Sequence, residues 1–190
     1  MDTAHPFDIT ICGIEELGEH HAAGVSHVLS ILDPEWPLPE VFGSYGEHAR
    51  LELRFHDVIE AAADVIPPQR QDVVDILGFG ATLAREAAPR LLVHCHAGIS
   101  RSTAAMALIL AQAQPQRPAE AILAGILAHR AKAWPNLRIL ELGDALLERG
   151  GTLPAAAAAL YRHQLEIRPH LAEVMRKAGR GREVDAAEAP

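Results

Sequence analysis

The chain has 190 residues, 49% of them hydrophobic and 22% charged, and a formal net charge of −8 from 17 basic and 25 acidic side chains. That length suits one domain with a real core, and that balance argues against wholesale disorder. Net acidity argues against duplex nucleic acid or an anionic membrane as the main partner.

In chain order, Phe7 to Cys12 alternates apolar and polar residues and predicts a strand. Ile14 to Ala23 reads as a short helix after Gly13, and Ser26 to Ile31 as a second strand. Asp33 to Glu47 holds three prolines and two glycines and reads as a long loop. Arg50 to Phe55 alternates again, a third strand, and His56 to Pro67 is a connection. Pro68 suits the first turn of a helix reaching about Ala88. Arg90 to His94 is a near-continuous apolar strand, the kind buried on both faces. Helices are expected from about Arg101 to Ala113, Ala119 to Ala131 and Leu137 to Arg149, then from Pro154 until Pro169 breaks the run. The polar, small-residue end, Arg180 to Pro190, is expected to fray. Strands alternating with helices predict an α/β domain with a mostly parallel sheet of four to five strands. The expected division is a domain over 1–150, a packed helical extension over 151–179 and a flexible tail over 180–190.

Two cysteines, Cys12 and Cys95, give no disulfide framework. Met1 to Thr10 shows neither a basic n-region nor an apolar h-region. The longest apolar run, Ala104 to Ala111, is far below the roughly 18–20 residues that span a bilayer. A cytoplasmic, reducing setting is therefore expected, one that keeps a thiol usable.

The chemistry concentrates in His94-Cys95-His96-Ala97-Gly98-Ile99-Ser100-Arg101-Ser102-Thr103. A strand ends at a cysteine, a tight loop follows, and a helix begins. Backbone N–H groups at a helix start favour an anion, and the same field favours a thiolate at Cys95. Gly98 supplies backbone freedom in the turn. Arg101, six residues after Cys95, can fold back and hold two phosphate oxygens with its planar guanidinium. Ser102 can place a hydroxyl near the sulfur. A metal reading of His94, Cys95 and His96 is weaker, because strand alternation sets the histidines on one face and Cys95 on the other.

This stretch resembles the Cys-x5-Arg loop of protein-tyrosine phosphatases, and His-Cys-x-Ala-Gly-x-Ser-Arg-Ser closely resembles dual-specificity phosphatases. The resemblance covers about Phe7 to Arg149. It implies a dual-specificity phosphatase-like fold and a phosphate bound by His96, Ala97, Gly98, Ile99, Ser100 and Arg101. It also implies that His94 orients the loop through hydrogen bonds. The family places an acid after the strand that precedes the long helix. Asp57 fits that position and follows a strand's carboxyl end; Asp64 is the alternative. Pro135-Asn136 resembles a family pair near the site, although Asn136 is equally suited to cap the next helix. Trp36, Phe42 and Tyr45 either shape the pocket mouth or form a satellite cluster.

The implied reaction needs no cofactor and no metal. Cys95 attacks phosphorus, Asp57 protonates the leaving oxygen, and a phosphocysteine forms and is hydrolysed. The expected partner is a phosphorylated protein, on phosphotyrosine and also phosphoserine or phosphothreonine, or a small phosphomonoester. Phosphate, sulfate or vanadate is expected to bind the loop. The rivals are a phosphoinositide phosphatase, a rhodanese-like sulfurtransferase and an inactive phosphate-binding module.

Overall fold

Four strands make one parallel sheet in this computed structural model, which describes residues 6–189. The segment read above for a leader lies partly outside those residues, as does Pro190. The strands are β1 (Asp8–Cys12), β2 (His27–Leu32), β3 (Ala49–Arg54) and β4 (Arg90–His94), in the order β1-β4-β2-β3. The central position of β4 explains its apolar run, since Leu91, Leu92 and Val93 are buried on alternate faces.

The register aligns the carboxyl ends. Cys12 of β1 and Ser30 of β2 both lie opposite His94 of β4, and Leu32 lies opposite Arg54 of β3. The first residues beyond those ends are Gly13, Asp33, Phe55 and Cys95. The order also reverses beside β4, which is where open α/β sheets bind ligands.

One face of the sheet carries the main core. Leu29, Ile31, Leu53, Phe55, Leu91 and Val93 pack there against helices α1 (Arg70–Thr82), α2 (Arg101–Ala113), α3 (Ala119–His129) and α4 (Leu137–Leu146). Arg101 to Ala111 of α2 are all buried, so this helix is the axis of the core. Its neighbours approach closely at glycines. A Cβ on Gly80 of α1 would meet Ile109 at 3.0 Å, and one on Gly143 of α4 would meet Leu108 at 2.3 Å. The other face is covered thinly, by a 3-10 helix over Ile14–Ala23 and by the loop bearing Phe42. Cys12, Leu17, Val28, Phe42 and Leu92 form a smaller core there.

The chain ends in α5 (Thr152–Ile167), α6 (Leu171–Lys177) and α7 (Gly181–Glu188). The frayed end expected from Arg180 onward is corrected by α7. Glu183, Val184 and Ala187 fall at helical spacing and are buried, which holds the segment against the body. Helix α1 is shorter than expected, ending at Thr82 before a 3-10 turn over Leu83–Arg85. No helix among the described residues is long and apolar enough to cross a membrane.

Candidate active site

Cys95 stands directly after β4 and is buried, with Sγ 3.3 Å from the Ser102 hydroxyl in the first turn of α2. Between them the chain makes a loop whose carbonyls are all engaged by its surroundings. The His96 carbonyl accepts from Ile14 N at 2.9 Å. Those of Ala97 and Gly98 accept from Arg130 at 2.8 and 3.0 Å. The Ile99 carbonyl accepts from Trp134 N at 2.9 Å and from the Thr103 hydroxyl at 2.6 Å. The Ser100 carbonyl accepts from Ala104 N at 3.0 Å and Asn136 N at 3.3 Å. No cis peptide bond is present among the described residues. In a trans peptide the N–H points opposite to the C=O. The N–H groups of Ala97 to Arg101 therefore face away from the scaffold and line the concave side, a nest for an anion.

Gly98 makes the nest possible. Its φ is +68°, and a Cβ there would sit 2.4 Å from the Cys12 carbonyl carbon. Gly13 is nearly as tight, with a Cβ 2.9 Å from the His96 oxygen. The loop thus lies directly on the end of β1. Arg130 completes the support through a two-pronged pair with Glu16 at 2.7 and 2.8 Å, and Glu16 also accepts from Gly13 N at 2.6 Å. The Glu16 carboxyl is held below the ordinary range, chiefly by the Arg130 hydrogen bonds. Glu16 thus acts as a buttress for the loop.

Arg101, the first residue of α2, is buried. Its Nη1 donates to Asp33 Oδ1 at 2.7 Å and to the Phe55 carbonyl at 2.6 Å. Its Nε is buried and has no partner among the described residues. One side of the guanidinium is therefore tethered, and the Nε edge is left for a ligand. Asp33, the first residue after β2, is the tether that sequence reasoning missed.

Asp57 lies in the same constellation. Its Oδ1 accepts from the Ser100 hydroxyl at 2.7 Å and from Asn136 Nδ2 at 2.9 Å. Its Oδ2 is 3.2 Å from Arg180 Nη1. Burial alone would raise this carboxyl, but the Arg180 and Arg101 charges and the two hydrogen bonds outweigh it and hold it below the ordinary range. His56 sets up the position. It closes the neck of the Asp57 loop by two bonds with Ile66, from its own N–H at 2.8 Å and to its Nδ1 at 2.9 Å. Asp64 is exposed, at φ 62°, and is bonded to none of these groups.

Asn136 serves both roles open to it. Its Oδ1 accepts from Ile139 N at 3.1 Å as the cap of α4, while its Nδ2 reaches Asp57. His94 is buried with Nε2 2.7 Å from the Ser30 hydroxyl, and burial pushes its pKa down to about 4, so it is neutral near neutral pH. His96 accepts from Asp33 N at 3.2 Å and lies 4.6 Å from the Trp36 ring. Burial, and then Arg101, lower its pKa. Trp36 is 45% exposed at the mouth, whereas Phe42 and Tyr45 belong to the smaller core. Cys12 is buried, and burial pushes its thiol up to about 12, which keeps it protonated and unreactive.

No protein-family model matches the chain, and no curated protein matches it. Solved structures do. Human DUSP28 is 18% identical with a TM-score of 0.54, covering 75% of this chain and 95% of that one. DUSP15 is 20% identical with a TM-score of 0.54, covering 88% of this chain and 95% of that one. PTPMT1, solved in complex with PI(5)P, is 17% identical with a TM-score of 0.53, covering 78% and 94%. The four-stranded parallel sheet and its helices are thus the fold of dual-specificity phosphatases, as the sequence led one to expect.

Proposed function

We propose that this chain is a cysteine-dependent phosphatase acting on phosphotyrosine and related aryl phosphomonoesters, in a reducing compartment that preserves its thiol. The observation that carries the reading is the loop itself. Five successive carbonyls are engaged outward, the N–H groups turn inward, a buried Arg101 Nε awaits an acceptor, and Cys95 Sγ lies at the foot. A phosphate in that nest meets donors on several sides, and these strengthen as charge spreads over its oxygens.

The steps balance without a co-reactant other than water. The Cys95 thiolate forms a bond to phosphorus as the bond to the leaving oxygen breaks. Asp57 gives that oxygen its proton. Asp57 then takes a proton from water, whose oxygen attacks phosphorus, and the sulfur leaves as thiolate with the Ser102 hydroxyl donating to it. The proton Asp57 gave is thereby restored.

Trp36 favours aryl substrates, because it offers a flat aromatic wall beside the loop. A phosphoinositide is the second reading, prompted by the PI(5)P bound to PTPMT1. The absence of lysine between Cys95 and Arg101 weighs against it. The test is a rate panel on phosphotyrosine, phosphoserine and inositol-phosphate substrates with wild type and Cys95→Ser. Turnover of phosphotyrosine that vanishes in the variant, with vanadate competing in wild type, is expected. Turnover surviving in Cys95→Ser would sink the mechanism, and a preference for the inositol phosphates would replace the substrate.

A further inference from the structure

The link before the last helix carries a buried cation into this site. Arg180 stands between α6 and α7 and is only 5% exposed. Its Nε and Nη2 hold Glu183 at 2.8 and 2.7 Å, which leaves Nη1 to reach Asp57. Glu183 is itself fixed by Trp134 Nε1 at 2.6 Å and Leu137 N at 3.0 Å. Trp134 in turn donates its backbone N–H to Ile99 of the loop. One short segment, Trp134 to Leu137, thus anchors the Glu183–Arg180 pair, supplies Asn136 to Asp57 and grips the phosphate nest. Removing charge from buried ion pairs is often neutral or stabilising, so stability alone gives little reason for this one.

We propose that Arg180 is a positioning residue for phosphate transfer, holding the Asp57 carboxylate in register with the loop and setting the pH range in which it exchanges its proton. The inference rests on the reading of Asp57 as the acid. Asp57 has both oxygens occupied: Oδ1 by Ser100 and Asn136, Oδ2 by Arg180. The charged and titratable groups that face it are Arg180 from the α6–α7 link, Arg101 from the start of α2 and His96 from the loop. Glu183 of α7 and Tyr161 of α5 act on Arg180, and Tyr161 also feels the Asp57 charge. A guanidinium in contact favours the ionised carboxyl, whereas a bound phosphate dianion opposes it. Asp57 therefore acquires its proton when substrate fills the nest, and Arg180 fixes how far that shift must go.

The sign follows directly. Removing Arg180 removes a lowering influence, so the Asp57 pKa rises and the basic limb of the kcat profile moves to higher pH. The variant is Arg180→Gln with Glu183→Gln, so that Glu183 is not left as an unpaired charge in the interior and the lost contact is the one to Asp57. With phenyl phosphate the limb is expected to rise by about one unit, a tenfold change in proton dissociation. Arg180→Lys keeps a charge there and is expected to return the limb toward wild type. A folded double variant with an unmoved limb overturns the proposal while leaving Asp57 its role. The role itself is checked separately by Asp57→Asn, and if that variant keeps wild-type leaving-group dependence, the acid assignment fails and takes the proposal with it. Should the double variant not fold, Arg180→Met with Glu183→Leu replaces the buried ion pair by apolar side chains of similar volume and takes its place: a limb moved to higher pH supports the proposal, and an unmoved limb overturns it.

Discussion

Gly98→Ala is the sharpest test of the loop geometry. Two costs add. The residue sits at φ +68°, where a Cβ costs roughly 1–2 kcal/mol. The new methyl would also lie 2.4 Å from the Cys12 carbonyl carbon, 2.6 Å from its oxygen and 2.7 Å from Gly13 N. Those are backbone atoms at the end of β1 and cannot rotate aside, so overpacking adds about 1–3 kcal/mol. Gly150→Ala is the matched control, at φ +66° with nothing within 4 Å of the new Cβ. Urea unfolding should show Gly150→Ala losing only the conformational part, and Gly98→Ala losing about 2–5 kcal/mol in all. The loop can relieve the clash only by lifting off β1, which tilts its N–H groups away from phosphate. A misplacement near 1 Å costs on the order of 10²-fold in kcat/KM, so aryl phosphate hydrolysis should fall by that factor in Gly98→Ala and stay unchanged in Gly150→Ala. Equal stability of the two variants, with activity within twofold of wild type, would show that the loop does not rest on Cys12 as described.

Two further outcomes follow from the supports of the loop. Arg130→Met removes the donors to the Ala97 and Gly98 carbonyls and strands Glu16, so vanadate affinity should weaken about tenfold, read by competition against turnover, with retained affinity the adverse result. Gly143→Ala drives a methyl into Leu108 at the α2–α4 contact and should cost about 1–3 kcal/mol in denaturant while leaving KM alone; a neutral result would mean that Leu108 repacks freely.

The parts legible in the sequence are those whose logic is local. Cys95, Gly98, Arg101 and Ser102 occupy one strand-loop-helix segment, so spacing alone brings them together. Asp57 was singled out because the resemblance implies an acid after the strand that precedes the long helix, and because it follows a strand's carboxyl end. Asp33 follows β2 in the same way and was missed, because the prolines after it marked the stretch as a loop and nothing more. Arg130 and Glu16 stand 114 positions apart, and no periodicity announces a pair of that separation. Arg180 and Glu183 were hidden by composition. Small and charged residues at a chain end ordinarily fray, yet Val184 and Ala187 add enough apolar surface to seat the helix, and Trp134 supplies a buried donor that a carboxylate must meet. Sequence patterns report what a segment does with its neighbours in the chain; these residues act through partners the fold brings to them.

Asp33 raises the remaining choice, since two carboxylates stand near the nest. Asp33 Oδ1 is bound to Arg101 Nη1, and its Oδ2 lies 3.8 Å from His96 Nδ1. It therefore serves as counter-ion to the clamp rather than as proton donor. Asn in its place can still accept from Nη1, so Arg101 keeps its tether and loses only a neutralising charge. At roughly 6 Å in a water-like dielectric, each unit charge on phosphate feels about 0.7 kcal/mol from that carboxylate. A dianion feels about 1.4 kcal/mol, a factor near ten. Asp33→Asn should accordingly bind vanadate several-fold to tenfold tighter and show the same dependence on leaving-group pKa as wild type. Asp57→Asn should instead change the dependence on leaving-group pKa. Its loss should reach about 10²–10⁴ on phenyl phosphate and shrink on an activated nitrophenyl ester, because only the poor leaving group needs the proton. Rates of both variants across a series of substituted phenyl phosphates separate the two roles. If Asp33→Asn alone steepens that dependence, the acid is Asp33, and the Asp57 cluster is a brace for the loop.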